Sequence, residues 1–255
     1  MDDVLHIEVA DEVASVVMNR PDRRNALNSL LVGGLRASMH SLDERDDVRA
    51  IVLTGADPAF CAGVDLEELA AGGSVSAGAG DGHPFPPDMS TPIIGAVNGP
   101  AVTGGLELAL ACDFLIASER ASFADTHARV GILPGWGLSV ELPCAVGVRR
   151  ARQMSLTGNY VHADQALEWG LVNEVVPHDQ LLDRARALGR DMAGVPAAAS
   201  AAMKRLYWAT HNVTVGDGTL VEREVSKRWL ESGGFDREQL AESREAIQDR
   251  GSSQQ

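Results

Sequence analysis

The stretch Pro100-Ala-Val-Thr-Gly-Gly-Leu-Glu-Leu-Ala-Leu-Ala-Cys-Asp113 sets one carboxylate, Glu107, inside an apolar run just after a Gly-Gly pair. Ionised side chains are rare in such runs unless they have a partner or a task. The glycines allow a close approach of the backbone to a ligand, and a helix that begins there directs N–H groups at it. Two interpretations stay open: amides beside a proton-handling carboxylate that serve a developing oxyanion, or a buried Glu paired with an Arg or Lys.

A second glycine-bearing turn, Ala59-Phe-Cys-Ala-Gly-Val-Asp-Leu66, directly follows the apolar segment 51–54. Turns of small residues after buried strands are common ligand sites in α/β proteins. The N–H groups of Gly63 and Val64 could face an anion, as that of Gly104 could, and two such donors suffice for an oxyanion hole. Asp65 is predicted to cap the helix that follows.

The composition excludes several classes of function. A net charge of −14 argues against a nucleic-acid binder and against adhesion to anionic membranes. No stretch is apolar enough over sufficient length to predict a membrane span. Any polyanionic ligand must therefore be held by a local basic cluster and by backbone dipoles.

The cysteines and the first residues predict a cytoplasmic protein. The start Met1-Asp-Asp-Val-Leu5 lacks the basic-then-apolar pattern of a secretory signal. Three cysteines cannot all pair and have no metal-ligand spacing, so we expect buried thiols in a reducing compartment and no metal site. They are Cys61, Cys112 and Cys144.

The order of apolar patterns indicates an α/β core followed by a helical portion. Strands are expected at 5–9, 13–18, 50–54, 92–97 and 114–117, with helices from Asn28 or Ser29 to about Leu42 and after Gly104. The pattern is mostly helical from residue 138. Residues 72–91, rich in Gly, Ser, Ala and Pro, predict a mobile loop, either a tolerated insertion or a pocket wall.

Seven short segments in register resemble the crotonase superfamily, the enoyl-CoA hydratase/isomerase group of acyl-CoA enzymes. The matching segments are 19–21 with 25–28, 59–66, 94–100, 103–109, 112–113, 131–135 and 166–172. The resemblance implies an α/β fold, a crotonase-like spiral of ββα turns with a C-terminal helical trimerisation region. It divides the chain into a core with the CoA and active site (1–195) and a helical region (196–255), assembled as a homotrimer or a dimer of trimers.

The same resemblance implies an acyl-CoA thioester as the substrate, with no further cofactor. Its carbonyl oxygen would be held by the amides of Val64 and Gly104, and its adenine would lie near Arg24, Ala26 and Leu27. Arg23 and Arg24 either supply positive charge to the CoA phosphates or are simply solvated. The remaining candidate substrate-binding residues are Ala62, Gly63, Asp65, Leu66, Gly105, Asp125 and Trp136.

The chain departs from the family pattern at the second of two catalytic glutamates. The first falls on Glu107, whereas the second position holds His127. A Glu–His pair can still perform acid–base work, although its charge and donor geometry differ from those of two carboxylates. The alternative is a structural histidine that hydrogen-bonds Asp125 or a carbonyl. Trp136 either narrows the acyl pocket or fills core volume.

Three functions follow from these residues. The first is hydration of a 2-enoyl-CoA to a 3-hydroxyacyl-CoA through an oxyanion-stabilised enolate, with Glu107 assisted by His127 or Asp125. The second is double-bond isomerisation or other enolate chemistry, for which Glu107 alone is enough. The third is a catalytically weak acyl-CoA-binding protein.

Overall fold

The computed structural model describes residues 4–72, 83–86, 88–211 and 213–233. Contacts along the chain group into two units, Met1–Val195 and Pro196–Gln255. Within the described ranges, no helix combines the length and the apolar character that crossing a bilayer requires.

The strands all lie in the first unit of the described chain. They are β1 (Leu5–Ala10), β2 (Val13–Met18), β3 (Ala50–Gly55), β4 (Ile93–Val97), β5 (Pro100–Val102), β6 (Phe114–Ser118), β7 (Ser122–Ala124), β8 (Val161–His162) and β9 (Glu174–Val176). The larger sheet has the order β1-β2-β3-β4-β6-β9, and the smaller has the order β5-β7-β8. The larger sheet is parallel except for β1, which pairs antiparallel with β2.

The helices of the first unit are α1 (Ser29–Asp43), α2 (Leu66–Ala70), α3 (Gly104–Leu110), α4 (His127–Val130), α5 (Leu138–Val146), α6 (Val148–Thr157), α7 (Ala163–Trp169) and α8 (Leu181–Ala193). The second unit contains α9 (Ala197–Thr210) and α10 (Val215–Glu231), which pack against each other. Asn28 caps α1 by accepting a hydrogen bond from the Leu31 amide at 2.9 Å, as predicted.

The strands β2, β3, β4 and β6 of the larger sheet are buried on both faces, which explains their continuous apolar sequences, whereas the edge strand β1 is mostly exposed. Alternate residues of one strand point to opposite faces. On β3, Ile51 and Leu53 join the main core, whereas Val52 joins a second core in which α8 contributes Leu181 and Ala185.

Two successive ββα turns build the centre of the first unit. β4 and β6 lie in the larger sheet, and the strands that follow them, β5 and β7, pair in the smaller sheet before α3 and α4 begin. Isolated bridges extend this arrangement, because Cys61 pairs with Ala101 and Val64 pairs with Leu27. The α/β fold with ββα turns is confirmed.

The chain after residue 138 is mostly helical, as predicted, with the short strands β8 and β9 between its helices. One local expectation needs correction. Cys144 is exposed on α5, unlike the buried Cys61 and Cys112, so the expectation of buried thiols is wrong there. Residues 73–82 and 87 of the expected mobile loop lie outside the described residues.

The described end of that same loop is anchored to α1. The Asp43 carboxylate accepts hydrogen bonds from the amides of Ser90 at 3.0 Å and Thr91 at 2.7 Å. Phe85 and Met89 are buried in the main core. This part of the segment therefore serves packing.

Candidate active site

The start of α3 is held in close contact with the turn after β3. A Cβ added at Gly105 would lie 2.1 Å from the Cys61 carbonyl oxygen, so only glycine fits there. Thr103, which precedes the helix, has φ 55°, and its amide donates to the Ala124 carbonyl at 2.8 Å. The first N–H groups of a helix have no acceptor within it. The helix thus begins with amide donors at a defined place.

The two glycine-bearing turns meet at their backbones. The Leu27 amide donates to the Gly63 carbonyl at 2.7 Å, and the Asp65 amide donates to the Leu27 carbonyl at 2.9 Å. These bonds fix the turn on either side of Val64. The Val64 nitrogen lies 3.7 Å from the position that a Cβ on Gly104 would occupy. Val64 and Gly104 therefore lie side by side, as the oxyanion-hole hypothesis requires.

Glu107 lies on the buried helix α3 with 4% of its surface exposed. Its Oε1 accepts hydrogen bonds from the backbone amides of Gly135 at 3.1 Å and Trp136 at 2.8 Å. Its Oε2 lies 3.6 Å from Nε2 of His127. Buried charges need such partners. Within the described part of the chain, the partners of Glu107 are two amides and an imidazole, not the Arg or Lys of the alternative interpretation.

His127 lies between two carboxylates. Its Nδ1 is 2.7 Å from Oδ1 of Asp125, and its backbone amide donates to the same oxygen at 3.1 Å. Burial by itself lowers the pKa of His127, but the hydrogen bond with Asp125 and the Glu107 carboxylate outweigh burial and raise the pKa to about 9. His127 is therefore the cationic member of the row Asp125, His127, Glu107.

Asp125 forms the end of this row opposite Glu107 and is buried. It is 2% exposed. Burial works to raise the pKa of its carboxyl, but hydrogen bonds from His127 and Ser155 outweigh burial and hold the pKa below its usual value. Asp125 thus contacts His127, in the manner of the structural alternative, while the other side of His127 faces Glu107.

The segment predicted to lie near the adenine is held by its own polar contacts. Arg24 is exposed with φ 50°, and its carbonyl accepts from the Ala62 amide at 3.0 Å. The buried Asn25 donates to the carbonyls of Ala56 at 2.8 Å and Ala59 at 2.7 Å. Arg23 forms an exposed ion pair with Glu67 at 2.6 Å. Part of the expected positive charge is therefore already paired on the protein.

Arg20 is a residue of this segment that sequence reasoning did not single out. Its guanidinium donates to the Asp65 carboxylate at 2.9 Å and to the Ala26 carbonyl. Asp65 also accepts from the Glu67 and Glu68 amides, so it caps α2 as predicted. The available signal was the Asn19-Arg20-Pro21 triplet, which marks the segment but no ion pair.

The predicted site residues thus fall into three sets. The first is the row Asp125, His127 and Glu107, to which Trp136 adds its backbone amide. Its side chain packs against the main core, which favours the core-filling interpretation. The second is the paired backbone of Gly63, Val64, Gly104 and Gly105. The third, near Arg20 and Asp65, consists of Arg24, Ala26, Leu27, Ala62 and the exposed Leu66. Among the described residues, no group of three or more His, Cys, Asp or Glu side chains is arranged to hold a metal ion.

A family model described as enoyl-CoA hydratase/isomerase matches residues 8–235. The chain belongs to this family. It is 35% identical over 242 residues to a probable peroxisomal enoyl-CoA hydratase 1 of Arabidopsis thaliana, which covers 94% of this chain and 91% of the relative. It is 36% identical over 232 residues to a carnitinyl-CoA dehydratase of Proteus mirabilis, covering 86% of this chain and 85% of the relative.

Solved structures of enoyl-CoA hydratases share the fold. The structure from Mycobacterium smegmatis has a TM-score of 0.76 at 47% identity and covers 91% of this chain and 100% of that chain. The structure from Bacillus anthracis has a TM-score of 0.85 at 30% identity and covers 97% of each chain. In this member of the enoyl-CoA hydratase/isomerase family, the buried row of Asp125, His127 and Glu107 therefore lies within the fold that these hydratases share.

Proposed function

We propose that this protein hydrates a 2-enoyl-CoA thioester to a 3-hydroxyacyl-CoA. The observation that carries the proposal is the buried pair of Glu107 and His127, with Oε2 and Nε2 3.6 Å apart. Hydration needs one group that takes a proton from water and another that gives a proton to carbon. Membership of the enoyl-CoA hydratase/isomerase family and the printed names of the relatives support this substrate class.

The amides of Val64 and Gly104 are assigned to the thioester oxygen. Attack of water at C3 moves negative charge through C2 onto that oxygen, giving an enolate. Fixed amides stabilise the charge without reorganising, and loss of one such donor typically costs about 3–4 kcal/mol of transition-state stabilisation. Gly63 and Gly105 serve this arrangement because larger residues would collide with the carbonyls of Val102 and Cys61.

Isomerisation remains the alternative, since moving a double bond needs only one proton shuttle. Glu107 alone would be enough for it. The second proton-carrying group beside Glu107 favours hydration, because two groups can act on water and C2 in the same turnover. Desolvation of a buried, charged row is costly, which favours a catalytic role for the row over binding alone.

We assign the CoA moiety to the segment around Arg24, Ala26 and Leu27. Its neighbours Ala62, Asp65 and Leu66 belong to the same wall, where the pair of Arg20 and Asp65 at 2.9 Å holds the two segments together. The exposed Arg24 is the cation offered to the CoA phosphates. We propose no cofactor other than the CoA of the substrate.

Assembly is proposed as a homotrimer or a dimer of trimers. The support from this chain is the set of large apolar side chains exposed on α9 and α10, namely Met203, Tyr207, Trp208, Leu220 and Leu230. Light scattering coupled to gel filtration measures the mass; a monomer would overturn this proposal. The cytoplasmic location stays a prediction, since the relatives' names include peroxisomal and mitochondrial forms.

The function is tested with a short 2-enoyl-CoA and a 3-enoyl-CoA, whose products are resolved by chromatography. Hydroxyacyl product from the 2-enoyl-CoA supports hydration. A migrated double bond alone would instead support the isomerase, and binding without turnover of either would support the binding protein. Glu107→Gln should lower turnover by about 10²- to 10⁴-fold, because the acid–base group is lost.

The matched control is Glu44→Gln. Glu44 is an exposed carboxylate at the end of α1, 3.6 Å from His40. Its neutralisation should leave turnover unchanged. Wild-type turnover in Glu107→Gln would show that Glu107 is not the proton-handling group.

A further inference from the structure

The contacts within the row Asp125, His127, Glu107 indicate which ring nitrogens of His127 carry a proton. A carboxylate only accepts hydrogen bonds, so the 2.7 Å contact with Asp125 places a proton on Nδ1 of His127. Nε2 is then the nitrogen directed at Glu107, 3.6 Å away. A lone pair on Nε2 would face a second carboxylate, whereas an N–H there faces it favourably. Both nitrogens are thus best protonated.

We propose that Asp125 is a positioning residue that holds His127 as an imidazolium, so that His127 supplies the proton for C2 while Glu107 takes the proton of the attacking water. This division of roles rests on the proposed hydratase function. It follows from which group carries a proton: the cation can only give one, and the carboxylate can only take one.

The protons balance over one turnover. The oxygen of water bonds to C3 as one of its O–H bonds breaks, and that proton goes to Glu107. The enolate collapses as C2 forms a bond to the Nε2 proton, which leaves His127 neutral. The proton on Glu107 then crosses to Nε2 over the 3.6 Å gap, and both groups return to their starting state.

The surroundings of His127 fit this role. The charged groups that act on it are Asp125, at the end of β7, and Glu107, on α3, and the pKa of His127 is raised to about 9 as a result. Arg129, on the same helix as His127, donates to the Thr157 carbonyl instead. From α6, Ser155 hydrogen-bonds Asp125. Asp125 is thereby held as a carboxylate against His127.

The first test is the protonation of His127 itself, which needs no substrate. In protein carrying ¹⁵N-labelled histidine, the His127 ring signals, assigned by their absence from His127→Gln, should show both nitrogens protonated at pH 7. Titration should follow near pH 9. In Asp125→Asn the titration should move down by about 1–3 pH units, because the neighbouring negative charge is gone. A neutral His127 at pH 7 in the wild type would overturn the proposal without any variant.

The second test is the pH profile of turnover. Wild-type kcat should fall on the alkaline side as His127 loses its proton, and in Asp125→Asn this limb should move to lower pH with little change in KM. Asp43→Asn is the control, because Asp43 is a carboxylate that accepts backbone amides of Ser90 and Thr91 and is not among the groups that act on His127. If Asp125→Asn only disturbed the structure, it would lower kcat equally at all pH values, and that result would overturn the positioning role of Asp125.

The third test separates the two proton positions. Wild type should exchange the C2 protons of a saturated acyl-CoA in D₂O at pH 9, and mass spectrometry measures the exchange. Glu107→Gln should keep the exchange, whereas His127→Gln should lower it by about 10²-fold or more. The reverse pattern would overturn the division of roles. If the wild type hydrated nothing while the His127 titration still moved in Asp125→Asn, the hydratase proposal would fail but Asp125 would keep its role toward His127.

Discussion

Glu107 shows how a carboxylate can lie in an apolar helix. One oxygen accepts two backbone amides, from Gly135 and Trp136, and the other faces the imidazole of His127. An unpaired ion in this position would cost several kcal/mol of desolvation, at the order-of-magnitude level. The folded protein can therefore hold this charge only while these partners are in place, so the buried carboxylate of Glu107 depends on the imidazole of His127.

His127 should make stability depend on pH in the alkaline range. Its folded pKa of about 9 lies above the ordinary value of 6.5, so the stabilisation is complete below pH 6.5 and lost as pH rises through 9. We expect this residue to remove about 2–3 kcal/mol from the free energy of unfolding between pH 7 and pH 10. Urea unfolding at a series of pH values measures it.

The difference between wild type and His127→Gln isolates that contribution, because the other titrating groups are common to both proteins. The variant should be less stable at pH 7 and should lack this part of the alkaline loss. Parallel stability curves for the two proteins would contradict the assigned protonation of His127.

Helix α3 depends on glycine where it passes the turn after β3. In Gly105→Ala the new Cβ would lie 2.1 Å from the Cys61 carbonyl oxygen, and neither backbone can move freely in the core. Overpacking of this kind costs about 3 kcal/mol or more, and the displaced helix should also lose turnover because Gly104 would move from Val64. Thermal unfolding and the hydration assay measure the two effects.

Gly33→Ala is the matched control for that substitution. Gly33 lies inside α1, and a Cβ there would have no neighbour within 4 Å. The control should stabilise the protein by about 0.5–1 kcal/mol, because alanine loses less conformational freedom in a helix. Equal effects of the two substitutions would show that the close contact at Gly105 is not decisive.

Elements with a long apolar pattern were predictable from the sequence, and the shortest were not. Helix α1 and strands β2, β3, β4 and β6 follow their periodicity and caps. Strands β5 and β7 have three residues each, too few for an alternating pattern, and β8 has only two. Their pairing depends on partners distant in sequence, which periodicity does not record.

The part of the candidate site that consists of side chains was predictable from the sequence, and the part that consists of backbone amides was not. Glu107 was marked by its apolar surroundings, and His127 by its aligned position. The amides of Gly135 and Trp136 were not, because every non-proline residue carries an N–H and no residue type signals where it points. The contact between Ser155 and Asp125 was missed for a related reason, since α6 approaches β7 only in the folded molecule.

On the scale of the whole first unit, a polar cluster joins the ends of strands that are far apart in sequence. The Ser118 hydroxyl at the end of β6 is 2.9 Å from Nδ1 of His178, which follows β9. Nε2 of His178 is 2.9 Å from the Asp57 carboxylate after β3, and Asn98 after β4 donates to the same carboxylate at 2.9 Å. The cluster thus ties together four parallel strands of the larger sheet at one edge.

His178→Ala should therefore destabilise the molecule by about 1–3 kcal/mol, because the fully buried Ser118 hydroxyl would lose its partner on the ring. The exposed Asp57 carboxylate can turn to water, so the cost arises mainly at Ser118.

His40→Ala is the control: His40 is an exposed histidine on α1, and its loss should change stability by less than about 0.5 kcal/mol. Urea unfolding at pH 7 compares the two. If His178→Ala were as silent as His40→Ala, the strand ends would be held by the backbone ladder alone. The Ser118 hydroxyl also accepts a hydrogen bond from the Arg120 amide at 3.0 Å, so Ser118→Ala would disturb a second contact and the His178 variant is compared with His40→Ala alone.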